Sequence, residues 1–347
     1  MQPVLVNARV LKNPPAARTG AGRYLREILS RLDDRVIKVT PRRWTHGWAA
    51  HLWEQAILPR LARGSILWSP VNSGPVNAKY HVVTVHHLLH DHEQTLNPRF
   101  AMWYRFLTPK LIARASFIIV PSHFSRNRIL ELFPKAEEKT VVVPNGVGAA
   151  FLPRSQHEIQ TAMRELHLPT GRYVLFVGTL EPRKNLARLI AAWRKIEPIL
   201  PSDIWLFLAG PNATSRVCRS PELGDLSGRV KLLGYVRDTL LPAVYSGAVA
   251  VAYVSLHEGF GLPALEAMAC GTAVVTSNVT ALPEVVGDGA LTVDPLSVEA
   301  IAEALLFVIT NDQYRCELAR KAISRARMFS WEKSAEMTWS VLRRAAG

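Results

Sequence analysis

The sequence predicts an α/β protein of two doubly wound units, each a parallel sheet covered by helices. Three observations carry that prediction. Short apolar runs rich in β-branched residues recur along the 347 residues, without the strict alternation of a half-exposed strand. Helical patterns with one apolar stripe lie between them. The rhythm breaks once, where Pro144-Asn145-Gly146-Val147 gives way to a polar stretch ending at Pro169-Thr170-Gly171.

Strands are expected in the first half at residues 4–6, 66–68, 82–85, 117–120 and 141–143, and in the second at 174–177, 205–209, 230–233, 249–253, 273–276 and 291–293. Tyr24, Leu25, Ile28, Leu29 and Leu32 form one helical stripe, and Leu186, Leu189, Ile190, Trp193 and Ile196 another. A final helix from about Trp331 carries Arg343 and Arg344. The chain shows no short-period repeat and no low-complexity segment. Ligands of such sheets bind beyond the carboxyl ends of the strands, so two facing units are expected to share one cleft.

A chain with 48% hydrophobic and 20% charged residues has the balance of a folded globular protein. Cys218, Cys270 and Cys316 show no paired spacing and read as thiols of a reducing compartment. The N-terminal Met1-Gln2-Pro3-Val4-Leu5-Val6 lacks the regions of a signal peptide, and no apolar stretch reaches the length of a membrane span. The expectation is a cytoplasmic protein that can sit peripherally on the inner face of the membrane. The charge is uneven: residues 1–150 hold 21 of the 42 basic residues but only 9 of the 28 acidic ones, so +12 of the net +14 lies there. That half is expected to meet something anionic, lipid or nucleic acid.

The most informative segment runs from Glu258 through Gly259, Phe260, Gly261, Leu262 and Pro263 to Glu266 and Gly271. Pro263 suits the start of a helix and Gly271 its end. Glu258 then sits on a loop and Glu266 on the helix, and both can face one crevice. The glycines allow close backbone approach, and a helix N-terminus favours an anion. Such a site suits a ligand with hydroxyls at two places and phosphate between them, as in a sugar nucleotide. The alternative is a surface helix with two solvated glutamates.

A strand at 174–177 runs into Gly178-Thr179-Leu180-Glu181-Pro182-Arg183-Lys184-Asn185, with Asn185 a candidate N-cap. Cations beside a helix N-terminus need a compensating anion, which a diphosphate supplies. Solvated surface cations are the alternative. Upstream, Arg18-Thr19-Gly20-Ala21-Gly22-Arg23 resembles a phosphate loop, although Leu25 stands where a dinucleotide fingerprint has its third glycine. Gly20 is read as a point of close backbone approach from the opposite domain.

His86-His87-Leu88-Leu89-His90-Asp91-His92 does not meet the regular metal-ligand spacings, and His86 reads better as a sugar contact. No Asp-x-Asp pair offers to hold a cation against a diphosphate, so no metal and no cofactor are expected. Basic and aromatic residues mix in Arg42-Arg43-Trp44, Trp48, Trp53, Arg60 and Arg63, and again in Trp103-Tyr104-Arg105-Phe106. These fit a membrane interface, single-stranded nucleic acid, or plain helix packing.

The segments 178–185 and 258–271 resemble the signatures of retaining glycosyltransferases of family four. Pro121-Ser122-His123-Phe124-Ser125, Val143-Pro144-Asn145-Gly146-Val147 and Leu233-Gly234-Tyr235-Val236 are supporting matches. The resemblance implies the GT-B fold: two Rossmann-like domains, 1–165 for the acceptor and 166–330 for the nucleotide sugar, with the site in the cleft and a C-terminal helix of about 331–347 crossing back onto the first. It implies that Arg183 and Lys184 hold the donor diphosphate and Glu266 the ribose hydroxyls. Glu258 is implied to contact the transferred sugar, with the amides of Phe260, Gly261 and Leu262 around sugar and phosphate. Gly20, Tyr235, Val236 and Gly259 complete the donor-binding set. His86 matches the family's histidine near the reacting sugar, but His87 replaces the aspartate that usually follows.

The form Glu-Pro-Arg-Lys-Asn resembles bacterial mannosyltransferases that use GDP-mannose, and related enzymes accept UDP- or dTDP-sugars. A basic, Trp-rich first domain suits a saccharide acceptor linked to polyprenyl diphosphate at an anionic membrane, as in O-antigen or exopolysaccharide assembly. A sugar-nucleotide epimerase or phosphorylase is the competing enzyme reading, although no motif nominates a lysine for pyridoxal phosphate. A nucleic-acid-binding protein, motivated by the pI near 10.0, leaves the Glu258/Glu266 geometry unexplained.

Overall fold

The structure is a computed structural model describing residues 2–13, 19–42, 47–88, 96–212 and 228–345, with Leu223 and Leu226. Arg18, Arg43, Trp44, Cys218, residues 89–92 of the histidine-rich segment and the Trp48 side chain lie outside the described residues. The chain divides into two compact units, one of residues 1–93, 98–146 and 330–347, the other of 94–97 and 147–329.

The first unit holds a six-stranded parallel sheet of β1 (Val4–Asn7), β2 (Ile37–Val39), β3 (Ile66–Ser69), β4 (Tyr80–Thr84), β5 (Phe117–Val120) and β6 (Thr140–Val142), in the order 2-1-3-4-5-6. Five of these strands answer to the expected apolar runs. The sixth, β2, is an edge strand with Ile37 54% exposed, so it carries no buried run for a sequence to reveal.

The helix Gly20–Leu32 begins under Thr19, whose hydroxyl accepts from the Gly22 N–H at 3.4 Å, and buries Tyr24, Leu25, Ile28, Leu29 and Leu32 as its stripe required. Gly20 is exposed at its first position. The helix Trp331–Arg344 packs against it, joined by an Arg31–Glu332 ion pair at 2.7 Å. Ser330 caps that last helix by accepting from Lys333 N–H, and Ser334 donates to the Pro144 carbonyl. A Cβ on Gly146 would collide with the backbone of Ser330 and Trp331, so this crossing requires glycine.

The second unit's parallel sheet comprises β7 (Arg172–Val177), β8 (Ile204–Ala209), β9 (Val230–Gly234), β10 (Ala250–Tyr253), β11 (Val274–Ser277) and β12 (Leu291–Val293), in the order 12-11-10-7-8-9. All six expected runs are strands. Tyr173, Phe176, Trp193 and Phe207 anchor a continuous core. The unit begins at Val147 rather than at the expected 166. The helix Gln156–Glu165, started by a Ser155/Glu158 capping box, packs against Leu241–Ser246 and puts Ala162 into this core. The stretch is polar because only one residue of this helix, Ala162, is buried.

Candidate active site

The strand order of the second sheet reverses between β7 and β10, which are neighbours although two strands separate them in sequence. Loops leaving the carboxyl ends of such a pair diverge and leave a place for a ligand. Arg183 and Lys184 lie after β7 on a short 3₁₀ turn, Pro182–Lys184, and Glu258 lies after β10. The loops are laced together, Leu256 N–H donating to the Arg183 carbonyl at 2.8 Å and Glu258 N–H to Thr280 Oγ1 at 3.3 Å.

The side chains converge on one carboxylate. Lys184 Nζ lies 2.5 Å from Glu258 Oε1, and Arg183 Nη1 lies 3.0 Å from Oε2. Arg183 also reaches Glu181 Oε1 at 2.5 Å and the His257 carbonyl at 3.0 Å. The Tyr253 hydroxyl accepts from Lys184 at 2.6 Å and donates to Glu258 Oε1 at 2.7 Å. Burial alone would raise the Glu258 pKa, but Lys184 and Arg183 hold it well below the usual carboxylate range. Burial lifts Tyr253 well above its ordinary value, so it stays a phenol and keeps donating.

These contacts exclude the solvated alternatives. Lys184 is 5% exposed, Glu258 7% and Glu266 3%. The anion expected to compensate Arg183 and Lys184 is supplied here by the chain's own Glu258 and Glu181. Glu258 therefore points inward to the cations instead of standing out on its loop. Asn185 corrects a further expectation. It precedes the helix Leu186–Ile196 but does not cap it with its side chain. Its φ is +61°, which asparagine tolerates better than most residues. Its amide donates to the Val254 and Pro295 carbonyls at 3.0 and 2.7 Å, tying the turn to the sheet.

The helix Leu262–Ala269 starts as expected, with Pro263 in its first turn and Gly271 just beyond its end. Gly261 precedes it at φ +104°, and a Cβ there would lie 2.6 Å from Leu282 Cδ2. Gly259 and Phe260 are buried, the Phe260 ring meeting Phe329 edge-on at 5.7 Å, and Leu262 is half-buried. Glu266 accepts from the Tyr245 hydroxyl at 3.3 Å. Val236 is a core side chain, leaving its backbone as the part able to meet a ligand, and Tyr235 donates to Asp238 at 3.4 Å. The sequence reading missed Tyr253 and Glu181. Tyr253 ends an expected strand, and a polar-tipped aromatic there was the available signal; Glu181 lay unremarked beside Arg183.

In the first unit His86 follows β4. Its Nε2 lies 2.8 Å from the Pro70 carbonyl, its N–H donates to Asn72 Oδ1 at 2.6 Å, and its ring stands edge-on to Tyr24 at 4.7 Å. Burial pushes its pKa down to about 4 against the bond to Pro70. His86 is thus neutral at physiological pH. Trp53 is a core residue and Trp103 is half-buried; among the described residues there, Leu52, Leu61, Met102 and Phe106 are large apolar side chains left exposed.

Arg183, Lys184 and Glu258 thus form a buried ion-pair cluster at the reversal point of a parallel α/β sheet. Comparison with known proteins names the class further. Residues 158–328 match the family described as "Glycosyl transferases group 1", and residues 67–151 match "Glycosyltransferase Family 4". The chain belongs to these glycosyltransferases. It is 37% identical over 226 residues to O-antigen chain mannosyltransferase B of Escherichia coli, a match covering 65% of this chain and 59% of that protein. It is 31% identical over 230 residues to the serotype-specific mannosyltransferase WbdA of Escherichia coli, covering 65% of this chain and 28% of that protein. The matched region thus spans well under two thirds of these relatives' length. Among solved structures, Anabaena Alr3699/HepE with UDP and glucose matches at a TM-score of 0.74 and 20% identity, covering 99% of both chains. The fold is the expected GT-B.

Proposed function

We propose that this protein is a retaining, metal-independent glycosyltransferase that moves mannose from GDP-mannose to a saccharide acceptor in cell-surface polysaccharide synthesis. One observation carries the reading: Arg183, Lys184 and Glu258 meet in a buried cluster where β7 and β10 end. The identity to O-antigen mannosyltransferase B supports mannose as the sugar.

In this reading the donor diphosphate lies against Arg183 and Lys184, with the amides of Phe260, Gly261 and Leu262 around it and Gly259, Tyr235 and Val236 beside it. Glu266 takes the ribose hydroxyls and Glu258 a sugar hydroxyl, while Gly20 and His86 keep their expected donor contacts. As the bond from C1 to the diphosphate stretches, positive charge grows on the sugar ring and negative charge on the leaving phosphate. A preorganised donor is worth about 3–4 kcal/mol where such charge develops. Glu258 and Tyr253 hold the two cations in place beforehand, so no rearrangement is needed at that moment. The leaving phosphate takes the acceptor proton, and no protein base is assigned.

The finer proposal is a lipid-linked acceptor at an anionic membrane surface, met peripherally from the cytoplasmic side. No described helix is long and apolar enough to cross a membrane. Exposed Leu52, Leu61, Met102 and Phe106 accompany exposed Arg60, Arg63, Arg99 and Arg105 in the basic first unit, which supports surface contact.

The test is a panel of GDP-, UDP- and dTDP-sugars, read first by thermal stabilisation and then by transfer to mannose-terminated saccharides. GDP-mannose is expected to stabilise most and to yield an α-linked product. Transfer from another donor with none from GDP-mannose overturns the sugar assignment, and release of an epimerised donor without transfer overturns the reaction.

A further inference from the structure

The carbonyl oxygen of Pro70 can only accept a hydrogen bond, so the 2.8 Å contact with His86 Nε2 places the ring proton on Nε2. Nδ1 then carries the lone pair, and no partner to it is seen among the described residues. The histidine's backbone is fixed as well, because Asn72 Oδ1 accepts its N–H at 2.6 Å. Both partners belong to the loop between β3 and β4. That loop returns the grip through its own backbone, Asn72 N–H donating to the Thr84 carbonyl at 2.9 Å.

The loop itself is pinned from a third direction. Trp53–Ile57 is a π-helical turn, a form common at functional sites. It presents Gln55, whose amide donates to the Gly74 carbonyl at 2.8 Å and accepts from Val76 N–H at 3.1 Å. It also presents Glu54, fully buried, which accepts from Ser73 at 2.5 Å, Asn7 at 2.6 Å and Arg9 at 3.0 Å. Asn7 ends β1 and Ser73 follows β3, neighbouring strands at the point where the first sheet's order reverses. A buried carboxylate with three donors costs little and moves little.

We infer that the loop Pro70–Val76 is a positioning device for His86, fixing the ring as the Nε2–H tautomer so that Nδ1 accepts a hydrogen bond from a ligand hydroxyl. Pro70 and Asn72 act on the histidine; Glu54 and Gln55 act on the loop. The inference rests on the proposed sugar contact of His86 and specifies its chemistry: His86 is an acceptor, not an acid. The resemblance left the ring's orientation open because His87 stands where an aspartate is usual, and Pro70 provides an orientation.

The tautomer is read by NMR of protein labelled with ¹⁵N-histidine at pH 7.5, the His86 signal identified by its loss in His86→Gln. The expected spectrum shows a protonated Nε2 and an unprotonated Nδ1. A protonated Nδ1, or a rapidly exchanging mixture, overturns the inference. Asn72 sits at φ +47°, so Asn72→Gly keeps the backbone and removes the acceptor, whereas Asn72→Asp retains it. Asn72→Gly and Gln55→Ala are expected to broaden the His86 signal toward a mixture and to lower kcat at least tenfold. Asn72→Asp is expected to keep the wild-type spectrum and kcat within about twofold. Equal spectra and kcat in all three overturn the positioning role. Because the spectrum needs no turnover, a protein inactive on every sugar nucleotide would undo the proposed function while the spectrum still judged the tautomer.

Discussion

Lys184 Nζ lies 2.5 Å from Glu258 Oε1, with less than a tenth of either side chain exposed. Removing one member of a buried pair leaves the other uncompensated, commonly at about 3–5 kcal/mol. Here Arg183 still faces Glu258, so part of the charge stays balanced. Lys184→Ala is therefore expected to remain folded and to lose turnover by orders of magnitude. Near-normal turnover, measured well below the variant's melting temperature, would remove Lys184 from the proposed reaction.

Tyr253→Phe deletes one hydroxyl that is both acceptor from Lys184 and donor to Glu258. The expected loss is about 1–3 kcal/mol of stability, read from the urea midpoint, together with a several-fold fall in kcat. A variant as stable and active as the parent would show that the hydroxyl holds nothing in place.

Acid is expected to weaken the first unit before the carboxylates titrate. His81 is 2% exposed, with Nε2 2.8 Å from Ser69 Oγ, and burial holds its pKa down at about 4, from 6.5. His86 is lowered to the same value. The unfolded chain binds these protons near pH 6.5 and the native chain refuses them until about 4. Stability present above pH 6.5 is thus lost as pH falls toward 4, by about 3 kcal/mol for His81. Glu54, lowered to about 2 by Arg9 and its other partners despite burial, adds a loss between pH 4.5 and 2. Urea midpoints by tryptophan fluorescence at pH 7.5, 6 and 4.5 should fall in that order; a flat series contradicts it.

Gly146→Ala should be among the most damaging single-methyl additions, because the collision is with backbone that cannot turn aside. A loss of about 2–4 kcal/mol is expected from thermal or urea unfolding. An unchanged midpoint would mean that the crossing of Gly146 and Trp331 is looser than described.

Vesicles containing anionic lipid should sediment the wild type, with affinity falling as salt rises. Replacing Arg60, Arg63, Arg99 and Arg105 by glutamine is expected to cut binding at least tenfold. Equal sedimentation of both proteins would place the membrane contact elsewhere or nowhere.

Eleven of the twelve strands were legible because parallel strands buried on both faces leave unbroken apolar runs; Ile37–Val39, exposed at an edge, left none. The helix from Leu262 was legible from Pro263 and Gly271, whose backbone preferences are local. Arg183, Lys184 and Glu258 could be nominated from their segments, but their mutual ion pairing could not. It depends on β7 and β10 being neighbours, and adjacency across two intervening strands is not a local property. The same holds for Glu54, which no sequence motif singles out and around which the fold places Asn7, Arg9 and Ser73.

The helix begun by Ser330 packs on Gly20–Leu32, the first long helix of the chain. A ribosome delivers Gly20–Leu32 long before Trp331–Arg344. The second unit is complete at Phe329, before the helix Trp331–Arg344 of the first has been made. Newly made chains should therefore pass through a stage in which Tyr24 awaits the ring of Trp331, and a stop codon near position 330 would leave the residues of the second unit intact while removing the helix that closes the first.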